Sequence, residues 1–196
     1  MKIIGITGGI GAGKSAIIEY LSEHYNAIIA KADDIGHFGI KKGEACYEDV
    51  VDLLGSDIID EDGELNRAKM GRIVHADTKK LALLDAIIHP YVKHYIIDMI
   101  DKASKAGEQY FFIEAALLLE ANYNYLCDET WYIYADSEVR CTRLRESRNY
   151  SEDKSRQIMG NQLSSAEFKN RCDFTIDNSG DFSSTIKQIE LRMQKL

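Results

Sequence analysis

An α/β fold, a parallel sheet with helices on both faces, is what the sequence predicts, and three observations predict it. The near-continuous apolar run of Ile3, Ile4 and Ile6 stops at glycines, as a strand buried on both faces does. A stretch with helical periodicity follows it at once. Short apolar runs then alternate with helical stretches along the chain, the pattern of strands joined by crossover helices. A length of 196 residues suits one such domain, 1–196, with an inserted lobe, and excludes two large independent domains.

The elements follow in order. From residue 14 to 25, Ile17, Ile18, Leu21 and Tyr25 fall three and four apart while Glu19 and Glu23 lie off that stripe, so the spacing predicts a helix with one buried face. Residues 27–30 read as the second strand, and further strands are expected at 110–113, 131–134 and 174–176. Between the second and third strands, residues 36–107 hold helical patterns and no convincing strand, which reads as an inserted helical lobe. Leu81, Leu84 and Ile88 have helical spacing over 78–88, and a new helix is expected to start at Pro90, where a missing N–H costs nothing. Gly107 is a suitable stop for it. Ile186, Ile189, Met193 and Leu196 predict a last amphipathic helix.

Composition narrows the partners. Twenty-four Lys and Arg against 32 Asp and Glu leave a net charge of −8, which excludes a whole-molecule basic footprint for nucleic acid or an anionic membrane. A polyanionic ligand must therefore meet a local concentration of positive charge. Cys46, Cys127, Cys141 and Cys172 lie far apart, with no CxxC and no His at zinc-finger spacing, so reduced thiols are the simpler reading. The opening MKIIGITGG holds an apolar run too short for a signal peptide or a membrane span, and a cytoplasmic protein is expected. Oligomeric state leaves no mark on the sequence.

The sharpest signal is GGIGAGKS at residues 8–15, which satisfies GxxxxGK[ST] between a predicted strand and a predicted helix. This makes the sheet one of P-loop NTPase type. Glycines let successive backbone N–H groups converge on one concavity, and the following helix adds its positive end beneath bound phosphates. Lys14 would reach the β- and γ-phosphates of a nucleoside triphosphate, and the Ser15 hydroxyl would ligate Mg²⁺. Beyond the second strand, Asp33 and Asp34 place carboxylates at the carboxyl edge of the sheet, where open α/β sheets bind ligands. A carboxylate there can take the proton of an acceptor hydroxyl and aim it at the γ-phosphoryl group, or it can cap a helix. Catalysis is favoured for Asp33, capping or solvent for Asp34. Five of the nine arginines, Arg140, Arg143, Arg145, Arg148 and Arg156, fall within seventeen residues. Arg140 and Arg143, three apart on an expected helix, and Arg148 in the loop after it can reach one point while Arg145 faces another way, which suggests a lid at roughly 137–160 carrying cations over the triphosphate. About half of them read equally well as solvated partners of Glu138, Glu146, Glu152 and Asp153.

With these residues in hand, the chain resembles the dephospho-CoA kinases, P-loop enzymes that use ATP to phosphorylate the ribose 3′-hydroxyl of dephospho-coenzyme A. The resemblance covers nearly the whole chain through IGITGGIGAGKS, ADDIGH, LLGSDIIDEDGELNR, His89-Pro90, ALLLE and DFTIDNSG, in that order. It implies that Gly9, Gly11, Ala12, Gly13, Lys14, Ser15 and Ala16 hold ATP phosphates with Mg²⁺ at Ser15, and that Asp33 is the base. It further implies that Arg143 and Arg148 are lid cations, that Asn178 sits near the adenine, and that the helical lobe binds dephospho-coenzyme A through Arg67 and His89. From the residues alone, His89 is equally a helix cap, Arg67 a surface ion pair and Asn178 a turn residue. Ala16 stands where the family has Thr, Ala116 where it has Pro, His75 where it has Phe, and Phe168 where it has Lys. None of these removes Lys14, Ser15 or Asp33. A nucleoside or nucleotide kinase shares the loop, base and lid and is the nearest rival. A GTP-operated switch is disfavoured, because no NKxD motif occurs and no DxxG follows at Glu114 or Asp136.

Overall fold

Each apolar run read as a strand forms one in the computed structural model, which describes residues 1–196. The chain order is β1 (Lys2–Thr7), α1 (Lys14–His24), β2 (Ala27–Lys31), α2 (Ala32–Gly39), α3 (Tyr47–Leu54), α4 (Arg67–Ala76) and α5 (Thr78–Lys105), followed by β3 (Tyr110–Glu114) and β4 (Glu129–Tyr134). Then come α6 (Ser137–Arg148), α7 (Glu152–Gly160), α8 (Ser165–Arg171), β5 (Phe174–Asp177) and α9 (Phe182–Met193). The five strands form one parallel sheet in the order β2-β3-β1-β4-β5, so the loop after β1 leaves from the middle of the sheet. Parallel pairing sets Ile4 beside Phe112, Ile6 beside Trp131 and Ile133 beside Ile176.

Two compact units make up the chain. The first, Met1–Ala30 with Lys102–Leu196, has its core between the sheet and its helices. Ile4, Ile6, Ile17, Leu21, Phe112, Trp131, Ile133, Ile176 and Ile189 lose all solvent exposure there, each burial contributing about 1.5–3 kcal/mol before entropy is counted. Ile17 and Leu21 are the stripe read from the sequence for α1, and Ile189 and Met193 that for α9.

The second unit, Lys31–Asp101, is helical, with Ile59 and Leu65 forming an isolated antiparallel bridge. Val50, Leu54, Ile58, Met70, Val74 and Leu84 form its core. It begins five residues before the expected lobe at 36 and ends six before 107, because its boundary falls inside α5. The break expected at Pro90 does not occur: α5 is one helix of 28 residues with Pro90 in its interior. Proline forfeits one hydrogen bond to the carbonyl four residues back, here that of Ala86. Both residues are exposed, so the unpaired carbonyl lies on the solvent-facing side of the helix, while Leu84, Val92 and Ile96 are buried on either side of the proline. Packing along both halves outweighs a single lost bond. The helix ends at Lys105, and Gly107 follows with φ of 78°. All four cysteines are free thiols, and no helix is long and apolar enough to cross a membrane.

Candidate active site

The loop between β1 and α1 needs its glycines for two physical reasons. Gly11 and Gly13 have φ of 78° and 90°, in the left-handed region that side chains avoid. Gly9 and Gly13 also have no room: an added Cβ would lie 2.3 Å from Arg140 Nη2 at one and 2.3 Å from Asn178 Nδ2 at the other. Gly13 precedes α1 without a side-chain cap, and the first turn of α1 has no acidic residue. The helix therefore opens with unsatisfied N–H groups and its positive dipole end, which is an environment for an anion. Lys14 donates from Nζ to the Gly8 carbonyl at 2.7 Å. Ser15 and Ala16 are exposed, Ala12 is buried, and Gly9 is buried beneath the loop.

Alternate carbonyls of the loop are held by side chains from distant elements. Ile10 O accepts from Arg140 Nε at 2.8 Å, and Ala12 O accepts from Asn178 Nδ2 at 2.8 Å and Arg143 Nη1 at 3.3 Å. In a trans peptide the N–H of the next residue points opposite to the carbonyl, so these bonds turn the Gly11 and Gly13 amides the other way. Arg143 also donates to Asn178 O at 2.8 Å. Asn178 is 3% exposed, and its Oδ1 accepts from Thr185 Oγ1 at 2.9 Å. Its amide, expected near an adenine, is thus committed to supporting the loop.

The arginine-rich segment divides by environment. Arg140 and Arg143, one turn apart on α6, face the loop, whereas Arg145 and Arg148 are exposed near the end of the helix. Arg156 on α7 pairs with Glu138 at 2.7 Å and Glu152 at 2.8 Å, a solvated cluster of the kind read from the sequence. The arginine cluster read from the sequence includes Arg140, but not its hold on the loop, and Gln162 was not among the expected site residues. Gln162 Oε1 accepts from the Ile10 N–H at 3.0 Å and from Arg140 Nη2 at 2.9 Å. The helical spacing of Arg140 from Arg143 was a usable signal; Gln162 left none.

Asp33 and Asp34 are exposed in the first turn of α2, immediately after β2. Neither caps that helix through its side chain; its N-cap is Lys31. Within the same unit, His37 on α2 feels Arg67, Asp33 and Asp34. Burial first and Arg67 second push the His37 pKa down, against the opposing pull of the two aspartates. His37 is thus kept toward its neutral form. Arg67 is the exposed first residue of α4, whose N-cap Asn66 accepts from the Lys69 N–H at 2.9 Å. His89 lies inside α5 rather than at a helix start, 3.7 Å from Asp85.

No group of three or more His, Cys, Asp or Glu side chains that could hold a metal ion occurs. The hydroxyl of Ser15, a hard oxygen donor next to Lys14, fits a magnesium ion whose remaining ligands are phosphate oxygens and water.

The family model for dephospho-CoA kinase matches residues 2–184. A dephospho-CoA kinase of Carboxydothermus hydrogenoformans is 36% identical over 195 residues, covering 100% of this chain and 94% of that protein. One from Oceanobacillus iheyensis is 32% identical over 193 residues, covering 98% and 96%. Among solved structures, a Thermus thermophilus protein, TT1252, superposes with a TM-score of 0.84 at 24% identity, covering 100% of this chain and 97% of that one. A dephospho-CoA kinase from Campylobacter jejuni gives 0.69 at 23%, covering 97% and 96%. A shikimate kinase from Bacteroides thetaiotaomicron shares the fold at a TM-score of 0.58 and 13% identity, covering 98% of both chains. With the glycine-rich loop on the central strand and a match along its whole length, the chain belongs to the dephospho-CoA kinase family.

Proposed function

We propose that the reaction of this family, ATP-dependent phosphorylation of the ribose 3′-hydroxyl of dephospho-coenzyme A in the last step of coenzyme A biosynthesis, runs in this chain as an in-line transfer built on residues 8–15 and Asp33. The observation that carries this reading is the loop itself. It has left-handed glycines, an uncapped helix start and alternate carbonyls tied back, so that amides are left to meet phosphate. Gly9, Gly11, Ala12, Gly13, Lys14, Ser15 and Ala16 would hold the triphosphate, with Asn178 and Arg143 bracing the loop from behind.

Asp33 would accept the proton of the 3′-hydroxyl, being an exposed carboxylate at the end of β2 that is not spent as a side-chain helix cap. Arg148, exposed at the end of α6, is the lid cation with freedom to approach the γ-phosphoryl group. Arg67 and His89, in the helical unit, would bind the anionic acceptor. Mg²⁺ held by Ser15 would neutralise charge on the β and γ oxygens. Four free thiols fit a reducing, cytoplasmic setting.

The test combines acceptor and base. Incubated with ATP, Mg²⁺ and a panel of dephospho-coenzyme A, nucleosides and nucleoside monophosphates, the enzyme should phosphorylate dephospho-coenzyme A preferentially. Preference for a nucleoside or monophosphate would move it to the rival kinase class. Asp33→Asn keeps the shape but cannot take a proton, so kcat should fall about 10²- to 10⁴-fold with the KM for ATP little changed. Near-normal turnover would remove Asp33 from the role of base.

A further inference from the structure

Arg140 and Gln162 together form a bonded unit around one loop residue. Gln162 Oε1 receives two donors, the Ile10 N–H at 3.0 Å and Arg140 Nη2 at 2.9 Å, so both its lone pairs are used and the orientation of its amide is determined. Arg140 spans from that oxygen to Ile10 O, which accepts from Nε at 2.8 Å. The two peptide planes flanking the Ile10 Cα are therefore both pinned, one by an acceptor and one by a donor. Gly9 is the residue that admits this arrangement, since a Cβ there would lie 2.3 Å from Arg140 Nη2 and 2.9 Å from Gln162 Oε1.

The acceptors of Arg140 are neutral, and no carboxylate pairs with it. Burial pulls its pKa down, but a guanidinium stays charged at neutral pH. An uncompensated positive charge is thus built in against a loop that receives a triphosphate. Gln162 lies two residues beyond α7, so the same bonds tie the end of the α6–α7 segment to the loop.

We propose that Arg140 and Gln162 are positioning residues for the donor nucleotide: they clamp Ile10 and thereby keep the amides of the phosphate loop arranged for the triphosphate before it binds. The inference rests on the reading of residues 8–15 as the ATP cradle. It adds that the geometry of the cradle is imposed from α6 and from the α7–α8 connection rather than by its glycines alone. Lysine cannot replace Arg140, because a single ammonium does not present the fork that reaches both acceptors. Glutamate can replace Gln162 as an acceptor but cancels the charge of Arg140.

The test is steady-state kinetics and ATP titration on Arg140→Lys, Gln162→Ala, their double variant and Gln162→Glu. Thermal melts serve as the folding check and Arg145→Ala, on the exposed side of α6, as the control. Arg140→Lys and Gln162→Ala should each lower kcat/KM for ATP about 10- to 100-fold, with the KM for dephospho-coenzyme A unchanged. The double variant should cost no more than either single one, because the two residues act as a unit. Gln162→Glu should recover kcat but not the KM for ATP, and amide exchange at Ile10 should quicken in Gln162→Ala alone of the two. Unchanged ATP kinetics in Gln162→Ala, multiplicative costs in the double variant, or a Gln162→Glu variant as poor in kcat as Gln162→Ala would each overturn the proposal. Should Arg140→Lys not fold, the two Gln162 variants decide the matter. If the unaltered chain binds no ATP, the cradle reading fails; if it binds ATP and Gln162→Ala binds equally well, the clamp alone fails.

Discussion

Gly13 meets two demands at once, and a single methyl group breaks both. Its φ of 90° disfavours any side chain, and an added Cβ would lie 2.3 Å from Asn178 Nδ2. Gly13→Ala should therefore cost about 1–3 kcal/mol in a urea titration and push Asn178 off the Ala12 carbonyl, weakening ATP binding in calorimetry. Lys14 makes a different case, because its loss leaves the backbone intact. In the proposed reaction, Lys14→Ala removes the cation that meets the β- and γ-phosphates, so kcat/KM should drop about 10²- to 10³-fold with the melting temperature nearly unchanged. Both positions were legible in the sequence, as members of a motif of eight consecutive residues. The contacts that Arg140 and Gln162 make with the loop were not. Their partner Ile10 is 130 and 152 residues away, and no local pattern encodes a contact that only folding creates.

The start of α4 is set by local chemistry. Asn66 accepts from the Lys69 N–H and donates from its Nδ2 to Asp60, so it fixes both the first turn of α4 and the loop leading into it. Asn66→Ala should cost about 1 kcal/mol, read as a lower urea midpoint. In the proposed reaction it should also raise the KM for dephospho-coenzyme A, because Arg67 is the next residue. The α5 helix teaches the opposite lesson. A rule about one residue placed a break at Pro90, yet buried Leu84, Val92 and Ile96 hold a single helix through it. Strands were easier to place, because a buried parallel strand needs a dense apolar run, and each run read at 27–30, 110–113, 131–134 and 174–176 lies within a strand.

The first unit closes through a carboxylate far from the phosphate loop. Glu129, at the start of β4 and 6% exposed, accepts from Trp131 Nε1 at 2.6 Å and from Arg192 Nε of α9 at 2.7 Å. Arg192 also covers the ring of Phe174, its guanidinium carbon 5.0 Å from the centroid. Removing the carboxylate leaves a buried indole N–H and a partly buried cation without their partner. Glu129→Ala should therefore cost about 3 kcal/mol and lower the melting temperature by about 6–12 °C, while kcat of the folded fraction stays unchanged. A melt indistinguishable from that of the unaltered chain would mean that the Glu129 carboxylate contributes nothing to holding α9.

What could be known from the residues in order was whatever short-range chemistry prescribes: apolar periodicity for strands and helices, glycines and a lysine at set spacing in a tight loop, and a carboxylate just past a strand. Folding settled the rest. The sheet order that centres β1, the continuity of α5, the use of Asn178 and Arg143 as loop braces and the hold of Arg140 and Gln162 on Ile10 each join residues distant in sequence. Such contacts follow from the burial and hydrogen-bond satisfaction of the assembled fold, which no window of neighbouring residues contains.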